Sequence, residues 1–150
     1  MFNSMTFPTI LHVDDDENDR LLVTIAHRRA KVSANVIGVE DGEAAIAYLR
    51  GDGIYSDRNR TPIPHLVLLD LKLPLKSGFE VLEWIRAQQT MKHLPVIVLS
   101  SSQHETDRDR AFGTGASYYF VKPVSVGAMV DMMKQLHANW LAPVPLCGCA

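Results

Sequence analysis

Short apolar runs alternate along the chain with longer segments in which apolar and polar residues recur at helical spacing. The runs are rich in Val, Ile, Leu and aromatic residues, and they cover residues 9–13, 36–39, 66–69, 96–99 and 118–121. Continuous apolar runs of this length are typical of strands that are covered on both faces, as in a parallel sheet. The pattern therefore predicts five buried strands.

The segments between the runs predict helices, and the first of these helices begins at acids that suit a helix start, Asp16 to Asp19. The clearest stripe is the last one, formed by Val126, Met129, Val130, Met133, Leu136, His137 and Trp140. Strands that alternate with helices imply right-handed crossovers and a parallel sheet. We therefore predict an α/β fold, a flavodoxin-like doubly wound (βα)5 sandwich with strand order 2-1-3-4-5, whose switch point lies between the first and third strands.

Composition narrows the class of protein. The chain has 150 residues, is 47% hydrophobic and carries a formal net charge of −2. This length predicts a single domain, with a core at about 8–141 and a C-terminal tail at 142–150. The charge argues against nucleic-acid binding, and no apolar run approaches the length that spans a membrane. Cys147 and Cys149 offer no disulfide framework, and we expect a cytoplasmic protein.

Polar side chains follow four of the five predicted strands. Asp14 and Asp15 end the first strand, Asp70 the third and Ser100 the fourth, and Lys122 follows the fifth. The carboxyl ends of parallel strands share one edge of the sheet, so we expect the three acids to converge. Crowded carboxylates repel one another unless a hard divalent cation, here Mg²⁺, lies between them. A carboxylate at such a site can act as a nucleophile toward phosphorus, with Lys122 and Ser100 available to phosphate oxygens.

Each of these residues has a simpler interpretation when it is taken alone. Asp14 to Asp16 suit the start of a helix, Asp70 a solvated loop, Ser100 a helix cap and Lys122 an exposed surface. His12, in the first strand, is expected to be packed in the core. The simpler interpretation of the whole set requires four coincidences at four strand ends.

Together these residues resemble the phosphorylation site of response-regulator receiver domains. Three further motifs support the resemblance over residues 9–140: Asp41-Gly42, the pair Pro74 and Gly78, and Gly115-Ala116. The resemblance implies that Asp70 accepts the phosphoryl group. It also implies a Mg²⁺ ion bound directly by Asp15, through water by Asp14, and by the backbone carbonyl of Lys72.

The same resemblance implies a switch. Ser100 would be the switch hydroxyl, Tyr119 the aromatic residue whose rotamer follows it, and the Lys122-Pro123 bond would be cis. Ser100 stands where threonine is commoner, and Lys72 places a cation beside the site, where its side chain could touch phosphate or obstruct an attacking water.

The long connector at 51–64 and the ending Trp140-Leu141 resemble the single-domain regulators that partner phytochrome-type sensor kinases. This implies a sensor histidine kinase, a bacteriophytochrome in particular, as the phosphodonor. It also implies a homodimer through the fourth helix, the fifth strand, the fifth helix and the C-terminal extension, with Trp140 available to a partner.

Three other functions compete with this interpretation. An aspartate-based phosphatase of the haloacid-dehalogenase type needs a second acid two residues after its nucleophile, where this chain has Lys72. A pseudo-receiver that only scaffolds has usually lost an acidic-site residue, and none is lost here. A flavodoxin is disfavoured because the acidic loop after the first strand would repel a flavin phosphate.

Overall fold

The computed structural model describes residues 7–141. The strands are β1 (Thr9–Val13), β2 (Asn35–Val39), β3 (Leu66–Leu69), β4 (Val96–Ser100) and β5 (Tyr118–Val121). The helices are α1 (Glu17–Ala30), α2 (Gly42–Arg50), α3 (Gly78–Ala87), α4 (Glu105–Thr114) and α5 (Val126–Leu136). Short 3₁₀ turns lie at Gly53–Tyr55 and Gln89–Met91, and a π-helical turn at His137–Leu141 follows α5.

The five strands form one parallel sheet in the order β2-β1-β3-β4-β5. The predicted fold class is therefore confirmed. The last residue of β1, Val13, pairs with Val39 on one side and with Leu69 on the other. The residues that follow β1 and β3 thus leave the sheet side by side.

Helices cover both faces of the sheet. Successive strand residues point to opposite faces, and so Ile10 packs in the cluster that contains Val23 of α1 and Met133 of α5. Leu11 packs in the opposite cluster, with residues of α2 and α3. Both faces of β1 are buried, which explains its unbroken apolar sequence.

Side-chain caps fix the helix starts at the carboxyl edge of the sheet. The Asp16 carboxylate accepts hydrogen bonds from the backbone amides of Asn18 and Asp19, so the acids after β1 do begin a helix. Asp41 caps α2 and Ser77 caps α3 in the same way. Each cap places the first turn of its helix beside the end of a strand.

Several details differ from the sequence prediction. The Lys122-Pro123 bond was expected to be cis, and this was wrong: the described residues contain no cis peptide bond. The trans form of an X–Pro bond is the more stable by about 0.5–1 kcal/mol, and Lys122 reaches the acids with that form. Met132, which lies outside the predicted stripe of α5, is buried because α5 packs on both α1 and the sheet.

The long connector is held to the body of the protein. The Arg58 guanidinium donates hydrogen bonds to the carbonyls of Tyr48, Leu49 and Thr61 at 2.9, 3.0 and 3.1 Å. It therefore gives the Leu49 carbonyl, at the end of α2, a hydrogen-bond donor and joins this end of the helix to the connector. Most of the connector is exposed.

Arg86 of α3 joins this helix to the segments that precede β4 and β5. Its guanidinium donates to the carbonyl of Gly115 at 2.9 Å and to that of Leu94 at 2.8 Å. Gly115 ends α4 with a φ of 115°, a conformation that favours glycine. The turn between α4 and β5 is thereby joined to α3.

No helix in the described part of the chain is long and apolar enough to cross a membrane. The predicted tail at 142–150, with Cys147 and Cys149, lies outside the described residues.

Candidate functional site

Three carboxylates meet at the carboxyl edge of the sheet. The backbone amide of Asp70 donates to the carbonyl of Val13 at 3.0 Å, which extends the pairing of β1 and β3 by one residue. Asp14, Asp15 and Asp70 each offer a carboxylate oxygen, and these oxygens all lie within 4.8 Å of one another. The expected convergence of the three acids is confirmed, and the three oxygens form a site suited to a divalent cation.

The acids differ in exposure. Asp14 and Asp70 are buried, whereas Asp15 is exposed at the rim. Burial raises the pKa of Asp14, against the hydrogen bond from the Asp16 amide and the charge of Lys122, which lower it. Asp14 is thus a desolvated carboxylate and Asp15 a more accessible one. A nearby positive charge is needed to compensate the negative charges of both.

Lys122 supplies one positive charge. Its Nζ lies 3.0 Å from Oδ2 of Asp14, 3.0 Å from Oδ2 of Asp70 and 2.7 Å from Oδ2 of Asp19. Burial by itself lowers the pKa of Lys122, but the carboxylates outweigh it and raise that pKa above its ordinary value. The ammonium is therefore fixed in its charged form among the acids.

The loop after β3 holds Asp70 from the other side. The backbone amide of Lys72 donates to Asp70 Oδ1 at 3.1 Å, while the Lys72 side chain is exposed. The amide of Gly78 donates to the carbonyl of Leu71 at 2.9 Å, which brings the start of α3 against this loop. A Cβ at Gly78 would collide with the carbonyl oxygen of Asp70, so only glycine permits this approach.

Ser100 and Tyr119 lie in an adjoining network that meets at Ser102. The Ser100 hydroxyl accepts a hydrogen bond from the amide of Ser102 at 3.2 Å, and the Tyr119 hydroxyl donates to the carbonyl of Ser102 at 2.8 Å. The Ser102 hydroxyl donates to Asp107 of α4 at 2.6 Å. The carbonyl of Ser100 accepts from the Lys122 amide at 2.8 Å, so backbone contacts join this network to the acidic cluster.

His12 and Arg20 both lie next to Asp14 of the acidic cluster. His12 is buried, as predicted, and its Nε2 lies 3.7 Å from Asp14 Oδ2. Burial, aided by the charges of Lys122 and Arg20, lowers the pKa of His12 to about 3, so the ring is neutral. The Arg20 guanidinium donates to the backbone carbonyl of Asp14 at 2.6 Å.

Sequence reasoning did not place Asp19 at the site and treated it only as part of a helix start. One signal was present, since Asp19 lies only four residues after Asp15, in the first turn of the helix that follows β1. The contact itself depends on the reach of Lys122, which lies 103 residues away in sequence.

The doubly wound sheet and its acidic edge define an α/β protein with a candidate metal site at the topological switch point. The family model of the response regulator receiver domain matches residues 10–134, and the chain belongs to this family.

Its relatives include phytochrome response regulators. Response regulator Rcp1 of Synechocystis sp. is 34% identical over 137 residues, which cover 91% of this chain and 91% of that protein. The crystal structure of the phosphorylated cyanobacterial phytochrome response regulator RcpA is 34% identical with a TM-score of 0.82, and the match covers 91% of this chain and 96% of that chain. The Mn²⁺-bound form of Rcp1 is 33% identical with a TM-score of 0.78, and here the match covers 93% and 98%.

Proposed function

We propose that this protein is a phosphoacceptor of two-component signalling that is phosphorylated on Asp70. The carrying observation is the position of Asp70, whose carboxylate lies within 4.8 Å of Asp14 and Asp15 oxygens and 3.0 Å from the Lys122 ammonium. A nucleophilic carboxylate, acids for a cation and a fixed ammonium are together what phosphoryl transfer to an acid requires.

Mg²⁺ is the cation we propose for this site. Its preferred ligands are carboxylate oxygens, backbone carbonyls and water, and the donor set contains no sulfur and no accessible imidazole. Asp15 and Asp70 would bind it directly, Asp14 through water, and Lys72 through its backbone carbonyl. When bound, the ion neutralises charge on the carboxylates and on the phosphoryl oxygens. The structure of Rcp1 with Mn²⁺ supports a divalent cation in a related protein.

Phosphoryl transfer would form one bond and break one. A carboxylate oxygen of Asp70 attacks phosphorus, and the bond from phosphorus to the donor's leaving atom breaks with its electron pair. With acetyl phosphate the leaving group is acetate, so no proton has to move; with a phosphohistidine it is an imidazole nitrogen, which takes up a proton. Lys122 would bind a phosphoryl oxygen, and the Ser100 hydroxyl would donate a hydrogen bond to another.

The switch would run through Ser102. If the Ser100 hydroxyl turns toward the phosphoryl group, the Ser102 amide loses its acceptor, and the contacts of Ser102 with Tyr119 and Asp107 must adjust. Phosphorylation would then shift an equilibrium between two arrangements of α4 and β5.

A sensor histidine kinase is the proposed phosphodonor, and the relation to phytochrome response regulators supports a bacteriophytochrome. A homodimer through α4, β5, α5 and the C-terminal extension is the proposed readout. Phe112, Tyr118 and Val121 leave apolar side chains exposed on this face. Trp140 is partly buried and lies 5.8 Å from the Tyr118 ring, so part of it is already packed within the chain.

The test is the intact mass of the full chain after incubation with Mg²⁺ and acetyl phosphate. Wild type should gain one phosphoryl group, Asp70→Asn should gain none, and Asp131→Asn, an exposed acid on α5, should behave as wild type. An undiminished adduct in Asp70→Asn would contradict the proposal. Because the proposed protein is no turnover enzyme, sustained hydrolysis of an aryl phosphate would favour a phosphatase instead.

A further inference from the structure

Asp19 makes the shortest contact of Lys122. Its Oδ2 lies 2.7 Å from Nζ, compared with 3.0 Å for Asp14 and for Asp70. Asp19 stands in the first turn of α1 and is not one of the three acids whose oxygens lie within 4.8 Å of one another. Its carboxylate therefore contacts the ammonium and lies outside the cluster of three acids.

The number of donors on Lys122 makes this contact consequential. An ammonium has three N–H groups, and three carboxylates lie within hydrogen-bonding distance of it. A phosphoryl oxygen on Asp70 can gain an N–H from Lys122 only if one of these carboxylates gives it up. Asp19 is the most exposed of the three, with 31% of its side chain accessible, so water most readily replaces its contact.

We propose that Asp19 is a positioning residue that holds Lys122 toward α1 and restrains it from the phosphoryl group. This inference rests on the proposed function. It adds a residue that opposes the binding of the phosphoryl group by Lys122. Two effects act in the same direction. Asp19 holds the ammonium at its shortest contact, on the side of α1, and its negative charge repels the phosphoryl dianion.

Asp19→Asn should therefore strengthen binding of phosphate-like ligands. The amide keeps the size of the side chain but removes its charge and weakens its hold on the ammonium. We expect the Kd for beryllofluoride at saturating Mg²⁺ to fall about threefold to fivefold, the size typical of a partly exposed charge pair. The phosphoryl adduct formed with acetyl phosphate should accumulate faster.

Two variants control for charge and for geometry. Glu17→Gln removes the same charge from an exposed residue in the same helical turn, and it should leave the Kd within twofold of wild type. Asp19→Glu retains the negative charge, so it should restrain Lys122 more strongly than Asp19→Asn does. Circular dichroism and urea denaturation of all variants check that each is folded.

The outcomes separate this inference from the proposed function. Equal Kd values for Asp19→Asn and Glu17→Gln, or weaker binding by Asp19→Asn, would overturn the inference alone if wild type still forms its adduct. A wild-type protein that forms no adduct and binds no beryllofluoride would overturn the proposed function and the inference with it. A selective gain in Asp19→Asn supports both.

Discussion

The Tyr119 hydroxyl donates a 2.8 Å hydrogen bond to the backbone carbonyl of Ser102. Tyr119 is 2% exposed, and so this bond lies in the interior. Ser102 also contacts Ser100 through its amide and Asp107 through its hydroxyl. One buried residue thus joins the end of β4, the middle of β5 and the first turn of α4.

Replacing Tyr119 by Phe should lower the free energy of unfolding by about 1–2 kcal/mol, because the buried carbonyl of Ser102 loses its donor. Urea denaturation measures this loss. Tyr118→Phe is the matched control, since Tyr118 is 39% exposed, and its effect should be within about 0.5 kcal/mol. Equal stabilities for the two variants would show that the hydrogen bond contributes nothing.

Gly78→Ala should disrupt the site because the new Cβ would meet the carbonyl of Asp70 and lie 2.6 Å from Cα of Leu71. Neither backbone atom can move freely, so we expect a loss of about 2 kcal/mol or more in unfolding free energy, with slower phosphorylation.

Gly127→Ala is the control for that change. A Cβ at Gly127 of α5 meets nothing within 4 Å, and alanine favours helix, so this variant should be more stable by about 0.5–1 kcal/mol. If Gly78→Ala were as stable as Gly127→Ala, the close approach of α3 to the loop after β3 would be refuted.

His12 should make the protein less stable in acid. Its pKa is 6.5 when exposed and about 3 in the fold, so between these values the unfolded chain binds a proton that the folded protein excludes. The free energy of unfolding must therefore fall as the pH falls through this range. In metal-free buffer, the drop between about pH 6.5 and 4.5 should be about 2 kcal/mol smaller in His12→Gln than in wild type.

Asp14 contributes with the opposite sign, because burial raises its pKa, but it is present in both proteins and largely cancels in the difference. His93→Gln, at an exposed position, is the matched control and should retain the wild-type slope. If the free energy of unfolding of His12→Gln falls with pH as steeply as that of wild type, a residue other than His12 causes the acid sensitivity.

Mg²⁺ should stabilise the folded chain, since only the folded state brings the three acids together. At a Mg²⁺ concentration of about 100 times Kd, binding adds about 2.7 kcal/mol to the free energy of unfolding. Asp15→Asn should lose most of this gain, whereas Glu17→Gln should keep it. Thermal denaturation with Mg²⁺ and with a chelator makes the comparison, and an equal gain in both variants would exclude Asp15 as a ligand.

The sequence predicted the acidic cluster because its geometry follows from a general rule. Asp14 and Asp70 each come directly after a short apolar run, and parallel strands bring such ends together. No knowledge of side-chain conformation was needed. The same reasoning found Lys122, which follows β5.

Contacts that depend on side-chain reach were not predictable in this way. Asp19 was seen only as a helix-start acid. The role of Ser102 was not seen at all, because its contacts join three separate elements, β4, β5 and α4. The prediction of a cis Lys122-Pro123 bond was wrong. The two isomers of an X–Pro bond differ by only about 0.5–1 kcal/mol, and the sequence carries no signal of that size.

The hydrogen bond from Arg86 to Gly115 limits how α4 can move when Asp70 is phosphorylated. Because the guanidinium binds the Gly115 carbonyl, the C-terminal end of α4 is tied to α3, while its first turn is tied through Asp107 to Ser102. A helix anchored at its far end behaves as a lever. A small displacement of Ser102 should then swing the exposed surface of α4 through an arc and leave the turn before β5 as the fulcrum.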